Sequence, residues 1–395
     1  MSNHPMLARE RASKFDLGLI LLLIAQVVIL TYLGLAPFSF SPANQVEALD
    51  AAPGLEFDTT GVAISAGEFD GRAQFPSNAL TVHLMIQPND EPRSGLGTIF
   101  SIEDDQHESH LLVAQWKTWL VVRVRDTAGQ ARGYWEIDAE DFESGKSRFV
   151  TITSSPEAGT TIYVDGVPTG NTRKHSIIGD GETLAGRLLL GCLANGSAGW
   201  RGQLQGFGIA NSVIAPERIA DHYAAVRERA FSTLRTADSM VVLYDFAEIN
   251  TGDEELLYSV PNVIAQSALG ALEIPRTFAP LHPEVLGIPK LRDMKADWFL
   301  QDLLRNIAGF VPLGLVASLL LLRNKNQHGY AITLKTAALG GLLSTGIEIV
   351  QIALPMRSSS LSDLTLNIIG AMVGALIGLA FRHTQIAATE SVPDS

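Results

Sequence analysis

The sequence has 395 residues, 46% of them hydrophobic, a formal net charge of −13 and one cysteine. That length accommodates two or three domains, and the acidic balance, with no lysine- or arginine-rich stripe, excludes a protein that tracks nucleic-acid phosphates. The lone Cys192 excludes an internal disulfide, so every domain must stand on its packed core.

The apolar residues concentrate in four blocks, near 17–37, 303–322, 330–354 and 361–381, each close to the roughly 20 residues a spanning helix needs. A membrane protein with a large polar insert follows. Residues 1–15 read as a basic cytoplasmic tail and 16–37 as a first transmembrane helix. A cleaved signal peptide and a retained anchor both fit that start. Its apolar run exceeds the roughly 7–15 residues of a signal peptide's apolar region, and Pro37 follows Ala36 where a cut would otherwise be natural, so retention is expected. Arg9, Arg11 and Lys14 precede the first block, Arg323 and Lys325 lie between the second and third, and Arg382 follows the fourth. Four crossings put all three groups on one side, which makes both termini, with the 383–395 tail, cytoplasmic and the insert extracytoplasmic. Lys335, just inside the third block, is expected to snorkel back to that side.

From 44 to 249 the texture changes to short alternating segments broken by Gly, Asn and Asp. Leu80, Val82, Leu84 and Ile86 alternate with Thr81, His83, Met85 and Gln87, the pattern of a strand with one buried face. Residues 110–115 and 119–125 read as a hairpin. Further strands are expected at 148–153 and 160–164, the latter closed by Asp165-Gly166. A helix is predicted from Pro216 through Arg227. Many short strands at this spacing build an all-β sandwich or jelly roll.

Ile162-Tyr163-Val164-Asp165-Gly166-Val167, then Trp200-Arg201-Gly202-Gln203-Leu204-Gln205-Gly206-Phe207, then Ala215-Pro216-Glu217-Arg218-Ile219-Ala220-Asp221-His222-Tyr223 resemble three phrases of the laminin-G-like, concanavalin A-like jelly roll. They resemble its hairpin, its final inner strand and the short helix after it. The resemblance implies an external domain over 44–249; this fold serves glycan binding, protein binding and plain spacing alike.

Residues 250–297, with Pro261, Pro275, Pro280, Pro283 and Pro289 and little periodicity, read as a structured linker. Residues 298–382 hold the remaining three apolar blocks and a phrase written twice, D-L-x-x-N-I-x-G, at 302–309 and again at 363–370. Asp and Asn four apart share a helix face, and polar groups at a membrane border are costly unless they meet partners. Spans two and four run the same way, so the two phrases are expected as a parallel repeat at one depth.

Asn306 through Gly314 in the pattern N-x-x-x-F-x-P-x-G, Ile347-Glu348-Ile349-Val350-Gln351, and Arg357 followed by the phrase from Asp363 to Gly370 resemble the VanZ-like family; Thr31 to Phe38 is similar to the end of its first helix. The resemblance implies a four-helix bacterial membrane module with the jelly roll set between spans one and two. The expected fold class is therefore a multi-domain membrane protein, an α-helical four-span transmembrane module plus an all-β jelly-roll sandwich. The family takes its name from a glycopeptide-resistance protein, and the resemblance implies no established reaction.

At ~1.5 Å per residue, Asp302 and Asp363 fall near the outer border, Asn306 and Asn367 a turn deeper, and Glu348 roughly 10 Å in. Gln351 lies a turn above Glu348, and Arg357 in the short outer loop beside Asp363. Asp302, Asn306, Glu348, Gln351, Arg357, Asp363 and Asn367 are thus candidates for one pocket open to the outside, with Arg357 as the expected partner of Glu348. For Asp302, Arg305 and Asp363 an ordinary role as border or capping residues stands beside this one. Gly309, Gly314, Gly340, Gly341, Gly370, Gly374 and Gly378 are expected to let the helices approach closely.

Other signals carry less. Glu103-Asp104-Asp105-Gln106-His107-Glu108 fits E-x-D-x-x-E, the catalytic phrase of a glycoside hydrolase family on this architecture, but polar residues fill the intervening positions and the stretch reads as a solvated acidic loop. His107 and His110 lie among acids there without metal-site spacing. Trp116, Trp119, Trp135 and Trp200 fit a sandwich core or a sugar-stacking surface. No Walker A, Rossmann glycine phrase, H-E-x-x-H or nucleophile elbow occurs, so no metal, cofactor or reaction is assigned. The expected partners are membrane lipid, an envelope glycan or lipid-linked precursor, and a protein partner of the external domain.

Overall fold

A computed structural model describes residues 4–89, 95–104, 109–126, 133–139, 142–228, 231–236, 239–281, 285–287, 297–324, 326–355, 357 and 359–390. The chain divides into two compact units, residues 41–282 on the one hand and residues 1–40 with 283–395 on the other.

A long helix, α1 (His4–Leu35), is followed by β1 (Val46–Ala48), β2 (Leu55–Phe57), β3 (Ala63–Ser65), β4 (Phe69–Asp70), β5 (Leu80–Pro88) and β6 (Gly97–Glu103). The chain continues through β7 (Ser109–Trp116), β8 (Trp119–Asp126), β9 (Gly133–Ala139), β10 (Arg148–Ser155), β11 (Gly159–Val164), β12 (Val167–Arg173), β13 (Ala185–Leu190) and β14 (Gly202–Ala210). Helix α2 (Pro216–Glu228) and a 3-10 helix at Phe231–Thr236 precede β15 (Met240–Tyr244), β16 (Asn250–Thr251), β17 (Leu256–Val260) and β18 (Leu272–Pro275).

These strands form two wholly antiparallel sheets. One runs β1-β2-β14-β5-β10-β11-β12, with β15 also on β14; the other runs β16-β17-β18-β3-β13-β6-β7-β8-β9, with β4 also on β13. Apolar side chains of both sheets, among them Leu84, Val150 and Phe207 from the first and Phe100, Val113 and Leu188 from the second, form one fully buried core. Trp200 is wholly buried and donates its indole N–H to Gln115 Oε1 at 2.8 Å, so it is a core residue, whereas Trp116 is exposed beneath the Lys117 ammonium. The turn after β11 places Asp165 (φ 52°) and Gly166 (φ 81°) in the left-handed region, as a two-residue hairpin loop requires.

Two expectations change. The strand β5 is buried on both faces, Thr81 and His83 included, because Ile219, Tyr223, Phe231 and Leu234 from α2 and the 3-10 helix lay a second apolar layer over Phe149, Tyr163 and Leu243. And the stretch read as linker holds β16, β17 and β18, which extend the second sheet through β18 on β3. Their short, proline-bounded runs hide in sequence the pairing that β3 supplies, some 200 residues earlier.

The second unit is helical: α1, then α3 (Asp297–Leu321), α4 (Gly329–Ile352) and α5 (Leu361–Glu390). Their directions alternate. Asp16, in the first half of α1, forms an ion pair of 2.9 Å with Arg323 just past the α3 end, and the ends of α1 and α4 meet where Gln351 reaches Gly34. Helices α3 and α5 lie parallel, with Gly370, Gly374 and Gly378 against Ile307, Val311 and Ser318 in step, and Gly314 against the Ala371 backbone. A β-carbon at any of these four glycines would collide, so the seam depends on them. Gly340 also packs on Ala371, 2.7 Å from where its β-carbon would sit, whereas Gly309 and Gly341 are less confined.

Of the described helices, three are long and apolar enough to cross a membrane: residues Lys14–Leu35, Leu300–Leu321 and Leu361–Arg382. The expected four thus become three by this measure, because Lys335, Glu348 and Gln351 lower the hydropathy of α4. That helix is arranged inside out. Ser344, Glu348 and Gln351 are buried, whereas Leu334, Leu342 and Ile349 are exposed. Lys335 bends back to donate to Gln327 Oε1, 3.1 Å, in the connection before α4.

Candidate functional site

The polar residues of the helical unit gather where α1 and α4 end and α5 begins. Asn306, on α3, donates to Asp363 Oδ1 on α5 at 2.9 Å, joining the first copy of the repeated phrase to the second. Asn367, a turn along α5, instead donates to Ser344 Oγ of α4, 2.9 Å. The copies lie side by side along the two helices but do not share partners, since α3 and α5 present non-equivalent faces to each other.

Glu348 is only 3% exposed and accepts the Ser360 N–H at 2.7 Å, with the Ser359 hydroxyl as a second donor. Ser360 Oγ in turn accepts the Asp363 N–H at 3.4 Å, and both Asp302 and Glu348 lie within electrostatic reach of Asp363. Three carboxyl groups, on three helices, thus share one neighbourhood. The loop that satisfies Glu348 is itself held from outside the helices: Gly287 N–H donates to the Ser359 carbonyl at 2.8 Å and the Leu361 N–H to the Gly287 carbonyl at 3.1 Å. Ser344, Ser359 and Ser360 went unnoticed in sequence; the serine run at 358–360, just before an acidic helix start, was the available signal.

Arg357 does not pair with Glu348. Its Nη2 donates to the Leu33 carbonyl at 2.9 Å, and Gln351 Nε2 to the Gly34 carbonyl at 2.8 Å. The reason lies in α1. The Leu33 carbonyl would accept a hydrogen bond from residue 37 in a continuing helix, but Pro37 has no N–H, and a cation at a helix C-terminus also complements its dipole. Asn367 Oδ1, Gln351 Oε1 and Arg357 Nε are buried and have no hydrogen-bond partner among the described residues. Arg305 is exposed.

In the β unit the acidic stretch divides. Glu103 ends β6 and is buried, accepting from Ser101 Oγ at 2.8 Å and the Ala194 N–H at 3.0 Å; burial raises its carboxyl pKa above the ordinary value against those bonds. The solvated-loop expectation therefore fails for Glu103, whose backbone partner lies 91 residues away. Asp104 binds His110 at 3.1 Å and Arg125 at 3.0 Å; burial, then the Arg125 charge, lowers the imidazole pKa. Residues 105–108, with His107, lie outside the described residues, and among those described no three His, Cys, Asp or Glu are grouped to hold a metal.

The β unit also carries a polar cleft of about 360 Å³ that sequence reading missed, lined by Gln45, Glu47, Glu56, Asp58, Asn89 and Arg201 with Phe57 at its base. Glu47 and Glu56 are direct cross-strand partners, a like-charge pairing that costs stability. Asn89 donates to Glu56 at 2.5 Å and Arg201 to Asp58 at 2.6 Å. Burial works against it, but the Thr59 N–H and the Arg201 guanidinium hold the Asp58 carboxyl below its ordinary pKa. No sequence motif could reveal a site drawn from positions 45 to 201.

Comparison with known proteins follows this division. Residues 59–220 match the concanavalin A-like lectin/glucanases superfamily and residues 244–382 match VanZ/LLP1. No curated protein matches the chain. Among solved structures, it is similar to a heptameric SAP-like pentraxin from Limulus polyphemus (16% identity, 51% of this chain and 88% of that one, TM-score 0.34). It is also similar to the receptor binding domain of a botulinum neurotoxin C/D mosaic serotype (16%, 47% and 46%, 0.39) and to Trypanosoma rangeli sialidase (15%, 48% and 30%, 0.36). The chain thus spans most of the pentraxin but under half of the other two. The VanZ/LLP1 match begins at Tyr244, inside the β unit, and takes in β16 to β18 before the helices. The protein joins a laminin-G-like, concanavalin A-like sandwich to a VanZ-like domain.

Proposed function

We propose that this is a VanZ-like protein of the bacterial cytoplasmic membrane that receives the head group of a lipid-linked or cell-wall precursor in the polar site of its helices. Its external sandwich holds envelope glycan or a protein neighbour. The observation that carries the reading is Glu348: a carboxyl this buried, inside helices whose outward side chains are apolar, is costly unless it has work to do. Beside it stand Asp363, Asp302 and the amides of Asn306 and Asn367, with the unpartnered Asn367 Oδ1, Gln351 Oε1 and Arg357 Nε to complete a polar ligand's contacts. In this reading Arg357 holds an anionic group, and a carboxylate accepts a hydrogen bond or a proton.

Four crossings, with both termini cytoplasmic, agree with the alternating helices. Parallel α3 and α5 require a return between them, and α4 faces its apolar side outward. For the sandwich, the cleft at Glu47, Glu56 and Asp58 offers acceptors to sugar hydroxyls, with Asn89 and Arg201 as donors.

A second reading is a membrane-anchored glycan-binding scaffold with no chemistry in its helices. It is favoured by one observation, that Gln351 and Arg357 complete the end of α1. The readings separate in the producing bacterium by comparing envelope integrity in strains carrying Glu348→Gln, Asn306→Ala, or a deletion of residues 44–297. A functional pocket predicts that Glu348→Gln inserts normally yet reproduces the null phenotype. Wild-type behaviour of inserted Glu348→Gln and Asn306→Ala alongside a defective deletion assigns the function to the sandwich.

A further inference from the structure

The opposite end of the helical unit carries a second site of different chemistry. Phe15 of α1, Leu319, Leu322 and Arg323 at the α3 end, and Phe381 and Arg382 of α5 enclose a cleft of about 460 Å³. From Asp363 to Arg382 the rise along α5 is ~28 Å, close to the roughly 30 Å of a hydrocarbon core. The two arginines therefore lie at the membrane border remote from Glu348.

Arg323 engages Asp16 through Nε and lays its guanidinium 4.9 Å over the Phe15 ring, so its position is fixed. Arg382 makes no ion pair among the described residues. Phe15 and Phe381, each 57% exposed, stand at the rim, the level at which aromatic rings meet head groups. Two guanidinium groups against one carboxylate leave the cleft positive, and planar guanidinium forks suit phosphate oxygens. Beyond the rim the exposed flank is hydrocarbon: Leu17, Ile20, Leu21 and Ile24 on α1, Ile377 on α5. A ligand matching all three zones has a phosphate, a polar neck and alkyl chains.

We propose that this cleft binds an anionic membrane phospholipid, its phosphate between Arg323 and Arg382 and its acyl chains along α1 and α5. The site is independent of the pocket at Glu348 and of any precursor held there.

The test uses the full chain purified in detergent, offered phosphatidylglycerol, phosphatidylcholine or inorganic phosphate, with retained lipid counted by native mass spectrometry. Wild-type protein is expected to retain phosphatidylglycerol over phosphatidylcholine, and Arg382→Gln and Arg323→Gln each to weaken that retention about fivefold. Arg305→Gln, remote from the cleft, leaves it unchanged. Equal retention of both lipids by wild-type protein, or undiminished phosphatidylglycerol on both cleft variants, overturns the proposal, as does inorganic phosphate competing off the lipid at millimolar concentration. If the variants fail to insert, photoactivatable phosphatidylglycerol on wild-type protein decides: crosslinks at Phe15 or Phe381 support the site, and crosslinks confined to other segments refute it.

Discussion

His83 is sealed between Phe149 and His222, with Nδ1 at 2.9 Å from Thr151 Oγ1, and burial, followed by the His222 charge, pushes its pKa down to about 3. An unfolded chain binds a proton at this position below pH ~6.5, whereas the folded one stays neutral until about 3. The unfolded state therefore holds the extra proton between those limits, and stability falls with pH at ~1.4 kcal/mol per unit. The opening free energy of the β5 amides, taken from hydrogen exchange after correction for the intrinsic rate at each pH, should drop along that slope from pH 6.5 to 4.5 in wild-type protein and more shallowly in His83→Gln. Sequence reading placed His83 on a strand's outer face, because the α2 residues that enclose it lie about 140 positions later. Glu348 was legible on its own, since a lone carboxyl within an apolar run stands out. Its partners were not: the acceptor that takes Arg357 is a backbone carbonyl, and only Pro37 hints that this group goes unpaired.

At the scale of elements, strands β5, β7, β8, β10 and β11 and helix α2 could be read within a residue or two, because alternation and turn residues are local signals. Strands β16 to β18 could not, since two to five residues carry no period and their pairing is long-range. The glycine seam was legible as spacing, though which glycines face which helix was not. Gly374→Leu should force α3 and α5 apart, costing ~1–3 kcal/mol or more, seen as a lower melting temperature in detergent. Gly346→Ala, where a β-carbon meets nothing within 4 Å inside a helix, should not lower that temperature. For helix α4 the average over the sequence hid the arrangement: a mean hydropathy cannot tell polar residues turned inward, as Ser344, Glu348 and Gln351 are, from polar residues turned outward.

For the whole molecule, the decisive question is which surfaces share a side of the membrane. Burial, then the neighbouring Glu103, pushes the Cys192 thiol up to about 12, so the unaltered protein should be nearly inert to maleimides. Single cysteines added at exposed Asn324, between α3 and α4, and at exposed Glu157, in the β10–β11 turn, then report position cleanly. An impermeant maleimide added to intact cells should modify Glu157→Cys, and Asn324→Cys only after permeabilisation. Modification of both from outside would refute a crossing by α3 between them.

The capping of α1 by Gln351 and Arg357 changes what the amino-terminal segment is. Leader sequences and simple tethers can be trimmed without disturbing what they deliver. Here a protease cutting behind Pro37, and releasing the segment before it, would strip a guanidinium and an amide of their acceptors. Secretion-type processing at that point would thus dismantle the end of the bundle that holds Glu348.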